Sequence, residues 1–160
     1  MTPRRFIGTA LLMCGLQLTH MSASAECDVY HLANYKLGMT QDDAVAVRGG
    51  TIRGKELRPD VAWPDKSWVY FDGQKKVRAV YFWGSGGSVS ARNRIIEQLG
   101  RPTDDNVRRA PTMYEFVPKR VTSTRWDSAD CGADVVLTVE DKSGAWHLFL
   151  LPHGIGFRSE

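Results

Sequence analysis

The feature that most constrains this chain is a pair of aromatic-rich runs, from Trp68 to Trp83, separated by Asp72-Gly73. An Asp-Gly pair between apolar runs is a strong signal for a β-hairpin. With an even-numbered loop, alternation of side chains places one set on a single face: Trp68, Tyr70, Val77, Ala79, Tyr81 and Trp83. The other face mixes apolar residues with basic ones: Val69, Phe71, Val80 and Phe82 with Lys76 and Arg78. We therefore expect the Trp68 face to be the core side and flanking segments to complete a larger sheet, since an isolated hairpin is marginally stable.

The N-terminus has the three parts of a secretory signal peptide. Arg4-Arg5 precede the apolar run 6–18, which is too short to span a bilayer, and Ala23-Ser-Ala25 follows. We expect residues 1–25 to be removed and residues 26–160 to form one α+β domain, periplasmic or secreted. A twin-arginine signal fits less well because its consensus is poor. A lipoprotein signal fits less well because bulky Met13 precedes Cys14.

The charge of the mature chain excludes some classes of partner. Loss of the two leader arginines lowers the net charge from +3 to +1. A near-neutral chain is a poor ligand for nucleic acid or for an anionic membrane surface. The mature chain also has no apolar run of membrane-spanning length, so no integral membrane segment is expected.

Two cysteines, Cys27 and Cys131, remain after removal of the leader. In an oxidising compartment they most simply form one structural disulfide, which joins the mature N-terminus to the approach of the last hairpin. The alternative, a reactive thiol pair, lacks Cys-x-x-Cys spacing.

Two short helices are predicted. Thr40 is a good N-cap, acidic residues follow it in the first turn, and Gly49-Gly50 ends the first helix. Ser88 or Ser90 is expected to cap the second helix, which ends before Gly100-Arg-Pro102. We expect the segments 51–67 and 103–111 to be loops.

The last hairpin has the clearest pattern, with strands 135–140 and 145–151 around the four residues 141–144. One wholly apolar face is predicted: Val135, Leu137, Val139, Trp146, Leu148 and Leu150. Thr138, Glu140 and His147 go to the other face. Two further strands are expected at 112–117 and 121–126, with a loosely held tail after Pro152. The predicted fold is α+β, an antiparallel sheet with about two short helices packed on one face and a single disulfide.

Short motifs resemble a known group of exported proteins. Leu37-Gly38-Met39-Thr40, followed by Asp43 and Val45, resembles the helix start of small proteins similar to β-lactamase inhibitor protein. That group also includes the small lipoprotein accessory of the outer-membrane β-barrel assembly machine. Leu99-Gly100-Arg101-Pro102 resembles the helix end that precedes their sheet. A strand that ends at Trp126 before a turn is a further point of resemblance. The resemblance implies a compact sheet with helices on one face, used to bind proteins without catalysis.

Searches for chemistry give no specific site. His31, His147 and His153 have no metal-ligand spacing, and the aspartates 127, 130 and 134 lack the alternation of a calcium loop. No nucleotide or phosphate loop is present, so no cofactor or metal is expected. A carboxylate pair for a small periplasmic hydrolase, or for a binder of cell-wall ligands, has no distinguishing spacing but stays open as an alternative.

The aromatic content is the remaining functional signal. The five tryptophans of this small domain are more than a core easily buries with each indole N–H satisfied. The candidate binding residues are therefore Trp63 in its loop and Tyr81 and Trp83 at the end of the hairpin. We expect a non-catalytic protein-binding or inhibitory module of the bacterial envelope, whose partner is another envelope protein.

Overall fold

The computed structural model describes residues 27–60, 66–107, 109–111, 121–154 and 157–159. The leader prediction lies outside these residues, as does the strand expected at 112–117. The two helices are α1 (Gln41–Arg48) and α2 (Ser88–Leu99). The ten strands are β1 (Thr51–Arg53), β2 (Glu56–Arg58), β3 (Lys66–Phe71), β4 (Val77–Ser85), β5 (Asp104–Val107), β6 (Arg109–Pro111), β7 (Val121–Ser128), β8 (Ala133–Glu140), β9 (Ala145–Pro152) and β10 (Phe157–Ser159).

Eight strands form one antiparallel sheet in the order β1-β2-β3-β4-β9-β8-β7-β5, and β6 pairs with β10 in a second, two-stranded sheet. The aromatic hairpin β3–β4 therefore lies beside the last hairpin, joined to it through β9. Buried residues of both helices pack on one face of the large sheet. The predicted α+β class, with an antiparallel sheet and helices on one face, is confirmed.

The two helices begin differently. Thr40 Oγ1 accepts a hydrogen bond from the Asp43 amide at 3.2 Å, which confirms the predicted cap of α1. The N-cap of α2 is Gly87, with φ of 69° and no side-chain cap, so the prediction of a serine cap is wrong. Gly86 also has positive φ, and these two glycines turn the chain sharply from β4 into the helix. Among the described residues, neither helix has the length and apolar character needed to cross a membrane.

Three short strand regions fall in segments that the sequence pattern assigns to loops or to the tail. Residues 51–58 form the β1–β2 hairpin around Gly54, residues 104–111 contain β5 and β6, and β10 lies in the tail. These strands have three or four residues each, and the side chains of β1 are all exposed. Such segments carry no alternating apolar pattern, so periodicity does not detect them.

The buried apolar residues between the sheet and the two helices, which we call the helix-side core, confirm the predicted apolar face of the last hairpin. Five of the six residues are buried there and Val139 is partly buried. The prediction for the aromatic hairpin is wrong about the face that the helices cover, which carries Val69, Phe71, Val80 and Phe82, although Ala79 and Tyr81 of the predicted face are also buried. The cause is the pairing of β4 with β9, which sets Val80 opposite Leu150 and Phe82 opposite Leu148. Residues directly opposite share a face, so the apolar face of β9 decides which side of β4 is core.

A β-bulge corrects one further assignment. Tyr70 pairs with Ala79, but Phe71 pairs with Val77, so Arg78 is an extra residue on β4. The bulge moves Val77 to the helix-side core, where it is 2% exposed. Val77 therefore does not share a face with Trp68 as the even-loop prediction requires.

The predicted disulfide between Cys27 and Cys131 is confirmed, with a Cα–Cα distance of 5.2 Å. It joins the start of the described chain to the turn between β7 and β8. Tyr30 adds a second tie between the same regions, since its hydroxyl donates to the carbonyl of Asp127 at 3.1 Å. The N-terminal segment is thus attached to the end of the sheet.

Candidate functional site

Three aromatic side chains lie half-buried on the sheet face opposite the helices. Trp68 and Tyr70 come from β3 and Trp83 from β4, where pairing sets Trp68 opposite Tyr81 and Lys66 opposite Trp83. We call these three residues the aromatic strip. They pack against a second buried group, the outer-face cluster, composed of Ala79, Tyr81, Val121, Val136, Phe149 and Leu151. The strip is the partly exposed margin of this buried cluster, on the sheet face away from the helices.

Two of the three predicted binding residues, Tyr81 and Trp83, lie in the described part of the chain, and the prediction of an exposed Tyr81 is wrong. Tyr81 is only 4% exposed, with its ring centroid 5.0 Å from that of Trp68 and 5.1 Å from that of Phe149. A ring packed between neighbours on adjacent strands is core, so Tyr81 is not a surface anchor. Trp63 lies outside the described residues, and its role stays a prediction.

Trp83 is half-buried, and the ammonium of Lys66 lies 5.5 Å from its ring centroid. A cation over an indole face at this distance contributes about 0.5–1 kcal/mol at an exposed site. The contact holds a positive charge beside the ring. Trp83 therefore keeps part of its ring at the surface, next to a cation.

A hydrogen-bonded chain runs behind the strip. His147 Nδ1 lies 2.8 Å from the Tyr81 hydroxyl, and His147 Nε2 lies 3.2 Å from Glu140 Oε1. Burial lowers the pKa of His147, against the opposing effect of Glu140, so the ring is neutral at pH 7. A hydrogen bond from Ser143 and the contact with His147 lower the pKa of Glu140. A neutral imidazole that accepts from Tyr81 and donates to Glu140 satisfies every partner in this chain.

The alternation of β8 and β9 predicts that His147 and Glu140 share a face, but nothing in it indicates the link to Tyr81. That link needs β4 and β9 to be neighbours, and 66 residues separate the two side chains. Both ring nitrogens of His147 are engaged, which supports a structural role for this histidine.

A second polar network surrounds the buried carboxylate of Asp134. Its oxygens lie 2.5 Å from Arg125 Nη2 and 2.8 Å from His153 Nδ1, and one accepts from the Gly154 amide at 3.1 Å. Asp127 is a second carboxylate beside Arg125, at 3.6 Å from Nε. These two acids serve the same guanidinium and close the turn that contains Cys131.

Three carboxyl groups of the described residues have pKa values that do not suit a general acid. The carboxyl groups with a resolved shift, Asp28, Asp72 and Glu140, all have pKa values lowered by hydrogen bonds and nearby charges. A general acid needs the opposite, a raised pKa. No group of three or more His, Cys, Asp or Glu within these residues could hold a metal ion.

Charge is divided between the two halves of the large sheet. The β1–β4 half, residues 51–60 and 66–85, carries seven basic and three acidic residues. The basic ones are Arg53, Lys55, Arg58, Lys66, Lys75, Lys76 and Arg78. The other half, residues 101–107 and 121–154, carries three basic and seven acidic residues. The aromatic strip thus lies in the positive half of a sheet whose charges nearly cancel overall.

No protein-family model matches the sequence, and no curated protein matches it. Among solved structures, the chain is similar to a DUF4309 family protein (YjgB) from Bacillus subtilis subsp. subtilis str. 168. The TM-score is 0.49 at 12% sequence identity, over 79% of this chain and 92% of that chain. A likeness at this level carries no argument about function.

Proposed function

We propose that this protein is an exported, non-catalytic binding module of the bacterial envelope, which holds an acidic segment of a partner protein against the aromatic strip. The observation that carries the proposal is the half-buried Trp68, Tyr70 and Trp83 on the face without helices, in the basic half of the sheet. Trp and Tyr are enriched among the residues that dominate binding energy at protein interfaces. The Lys66 ammonium beside Trp83, and the excess of basic residues in the β1–β4 half, favour an acidic partner and speed its association.

Export is supported by the leader pattern of residues 1–25 and by the disulfide, since such bonds persist in oxidising compartments. The mature protein is expected to begin at Glu26. The intact mass of protein recovered from the periplasm or medium tests this. A mass that retains the leader, or one that includes a lipid on Cys14, contradicts it.

The resemblance to proteins similar to β-lactamase inhibitor protein agrees with this proposal. That group implies an antiparallel sheet with helices on one face, used to bind proteins. We propose that this chain belongs to the same broad group and binds through the aromatic strip on the sheet face without helices.

Designed peptides can stand in for the acidic segment of the partner in a binding test. Two sets of ten-residue peptides alternate an apolar residue with either Glu or Lys, and binding is followed by the tryptophan fluorescence of the mature protein at low salt. We expect the Glu set to bind and the Lys set to bind at least tenfold more weakly. Added salt should weaken the binding of the Glu set, because exposed charges are screened.

Variants locate the peptide site. Trp83→Ala should weaken the binding of a Glu peptide at least fivefold, the effect of a residue worth about 1 kcal/mol or more. Binding by the variants is followed by calorimetry, which does not depend on the lost indole. Val89→Ala is the matched control, because Val89 is 70% exposed on α2 and outside the strip. Equal binding of both peptide sets, or unchanged binding by Trp83→Ala, would rule out the aromatic strip as the site.

A further inference from the structure

A pocket of about 260 Å³ lies on the helix side of the sheet, between residues 31–33, the end of α1 and the last two turns of α2. Leu32, Ala33 and Ile95 give it an apolar wall. Leu32 and Ile95 also belong to the helix-side core, so the wall continues into the packed interior. The pocket is thus on the opposite face of the sheet from the aromatic strip.

The polar lining of this pocket is cationic or neutral. Arg48 ends α1, Arg94 and Gln98 lie one turn apart on α2, and His31 completes the set. The described residues that line the pocket include no Asp or Glu. Within the described part of the chain, Arg48 forms no ion pair, even with Asp60, whose carboxylate lies beside Gly49. One guanidinium is therefore available to a negatively charged ligand.

The segment that forms the wall contains unusual features. His31 Nδ1 and the Tyr35 hydroxyl are buried without a hydrogen-bond partner among the described residues. Between them, Ala33 and Asn34 have φ of 51° and 71°, a left-handed conformation that is costly for an alanine, although asparagine adopts it more readily. Strained backbone and unpaired buried polar groups concentrate where a structure serves a function other than stability.

Despite this strain, the wall is firmly attached. Gln98 Nε2 donates to the carbonyl of Val29 and, at 2.9 Å, to that of His31. Lys36 pairs with Asp28 at 2.8 Å, and the disulfide holds Cys27. A pocket held in this way loses little conformational entropy when a ligand enters.

We propose that this pocket binds a small molecule that has one anionic group, a carboxylate or a phosphate, attached to a compact apolar body. The guanidinium of Arg48 offers paired N–H donors that match the oxygens of either group. Leu32, Ala33 and Ile95 accept the apolar body. The volume is slightly below the usual 300–1,000 Å³ of ligand pockets, so the ligand is about the size of a single substituted ring.

Calorimetry and amide NMR shifts of the mature protein test this with four related probes: benzoate, phenyl phosphate, neutral benzamide and cationic benzamidine. We expect the two anions to bind at millimolar or lower concentration and at least tenfold more tightly than benzamide. Their shift changes should concentrate at residues 31–33, 48 and 94–98. Three outcomes would overturn the proposal. These are no anion binding at about 20 mM, binding of benzamide as tight as that of the anions, or amide shift changes at other residues.

Variants assign the anion contact. Arg48→Gln should weaken benzoate binding at least fivefold, and Arg48→Lys should recover part of it, since Lys keeps the charge but not the paired donors. Arg53→Gln, an exposed arginine of β1, should bind benzoate like the unmodified protein. Unchanged binding by both Arg48 variants contradicts the assignment. Trp83→Ala should leave benzoate binding unchanged, so this pocket and the aromatic strip are tested separately.

Discussion

The hydroxyl of Tyr81 and Nδ1 of His147 lie 2.8 Å apart, which joins β4 to β9 on the outer face of the sheet. Nε2 of the same ring faces Glu140 at 3.2 Å. These contacts fit the neutral imidazole tautomer that carries its proton on Nε2, and the hydrogen-bond network is the basis for assigning that tautomer. With the ring 4% exposed, protonation would place a second N–H against Tyr81 and a charge in an apolar cluster.

The first prediction is a loss of stability in acid. Burial lowers the pKa of His147 below its ordinary 6.5, so at pH below 6.5 the unfolded chain binds a proton that the folded protein does not. The free energy of unfolding should therefore fall as pH decreases from 6.5 toward the folded-state pKa, by about 1.4 kcal/mol for each pH unit between the two pKa values. The contribution of Glu140, whose pKa is lowered from 4.5, is lost only at pH below 4.5.

Urea denaturation between pH 5 and pH 8 measures this dependence. His147→Gln should flatten the curve, because glutamine does not titrate. Burial and the nearby Lys36 also lower the pKa of His31, so His31→Gln should remove a separate share of the same slope. A slope that persists in the double variant would show that other groups cause it.

The second prediction concerns the disulfide between Cys27 and Cys131. It closes a loop with a sequence separation of 104 residues, for which the chain-entropy model gives roughly 4–5 kcal/mol. Reduction should lower the melting temperature by several degrees or more, and Cys27→Ser should do the same without reductant. Alkylation of both thiols in the native, unreduced protein would contradict the bond.

The third prediction concerns the buried carboxylate of Asp134. Asp134→Ala leaves Arg125 without its closest partner and should cost about 3–5 kcal/mol, as other broken buried ion pairs do. Asp127→Ala is the control, because that carboxylate is 28% exposed and lies 3.6 Å from the same arginine. Its cost should stay below about 1 kcal/mol. Urea denaturation measures both costs. An equal loss of unfolding free energy in the two variants would contradict a dominant role for the Arg125–Asp134 contact.

Local patterns predict the parts of this fold that depend on neighbouring residues. The Thr40 cap, the helix end at Gly100 and the apolar face of 135–151 follow from chemistry within a few positions. The disulfide also follows, because only two cysteines lie outside the predicted leader.

The errors arise from contacts between distant segments. The core face of β4 is decided by its pairing with β9, and the position of Val77 by the bulge at Arg78. Neither effect is visible within the hairpin sequence, where both faces are largely apolar. The burial of Tyr81 has the same origin, since Phe149 packs against it from β9.

The last prediction separates the aromatic strip from the core by the cost of losing an indole. Trp126 is 1% exposed in the helix-side core, and its N–H donates to the Gly100 carbonyl at 2.9 Å. Trp126→Ala should therefore cost about 3–5 kcal/mol, the range of fully buried aromatic residues. The hairpin pattern alone predicts the same cost for Trp68, but this residue is partly exposed on the outer face, so Trp68→Ala should cost measurably less than Trp126→Ala.

Trp83→Ala should resemble Trp68→Ala in stability, and both variants should keep the cooperative unfolding of the unmodified protein. Urea denaturation of the three variants under one condition gives the comparison. A surface that binds a partner must leave part of its rings accessible in the free protein, and a ring that is accessible contributes less to folding. If Trp68→Ala and Trp83→Ala destabilise the protein as much as Trp126→Ala does, their rings are core and the strip cannot be a binding surface.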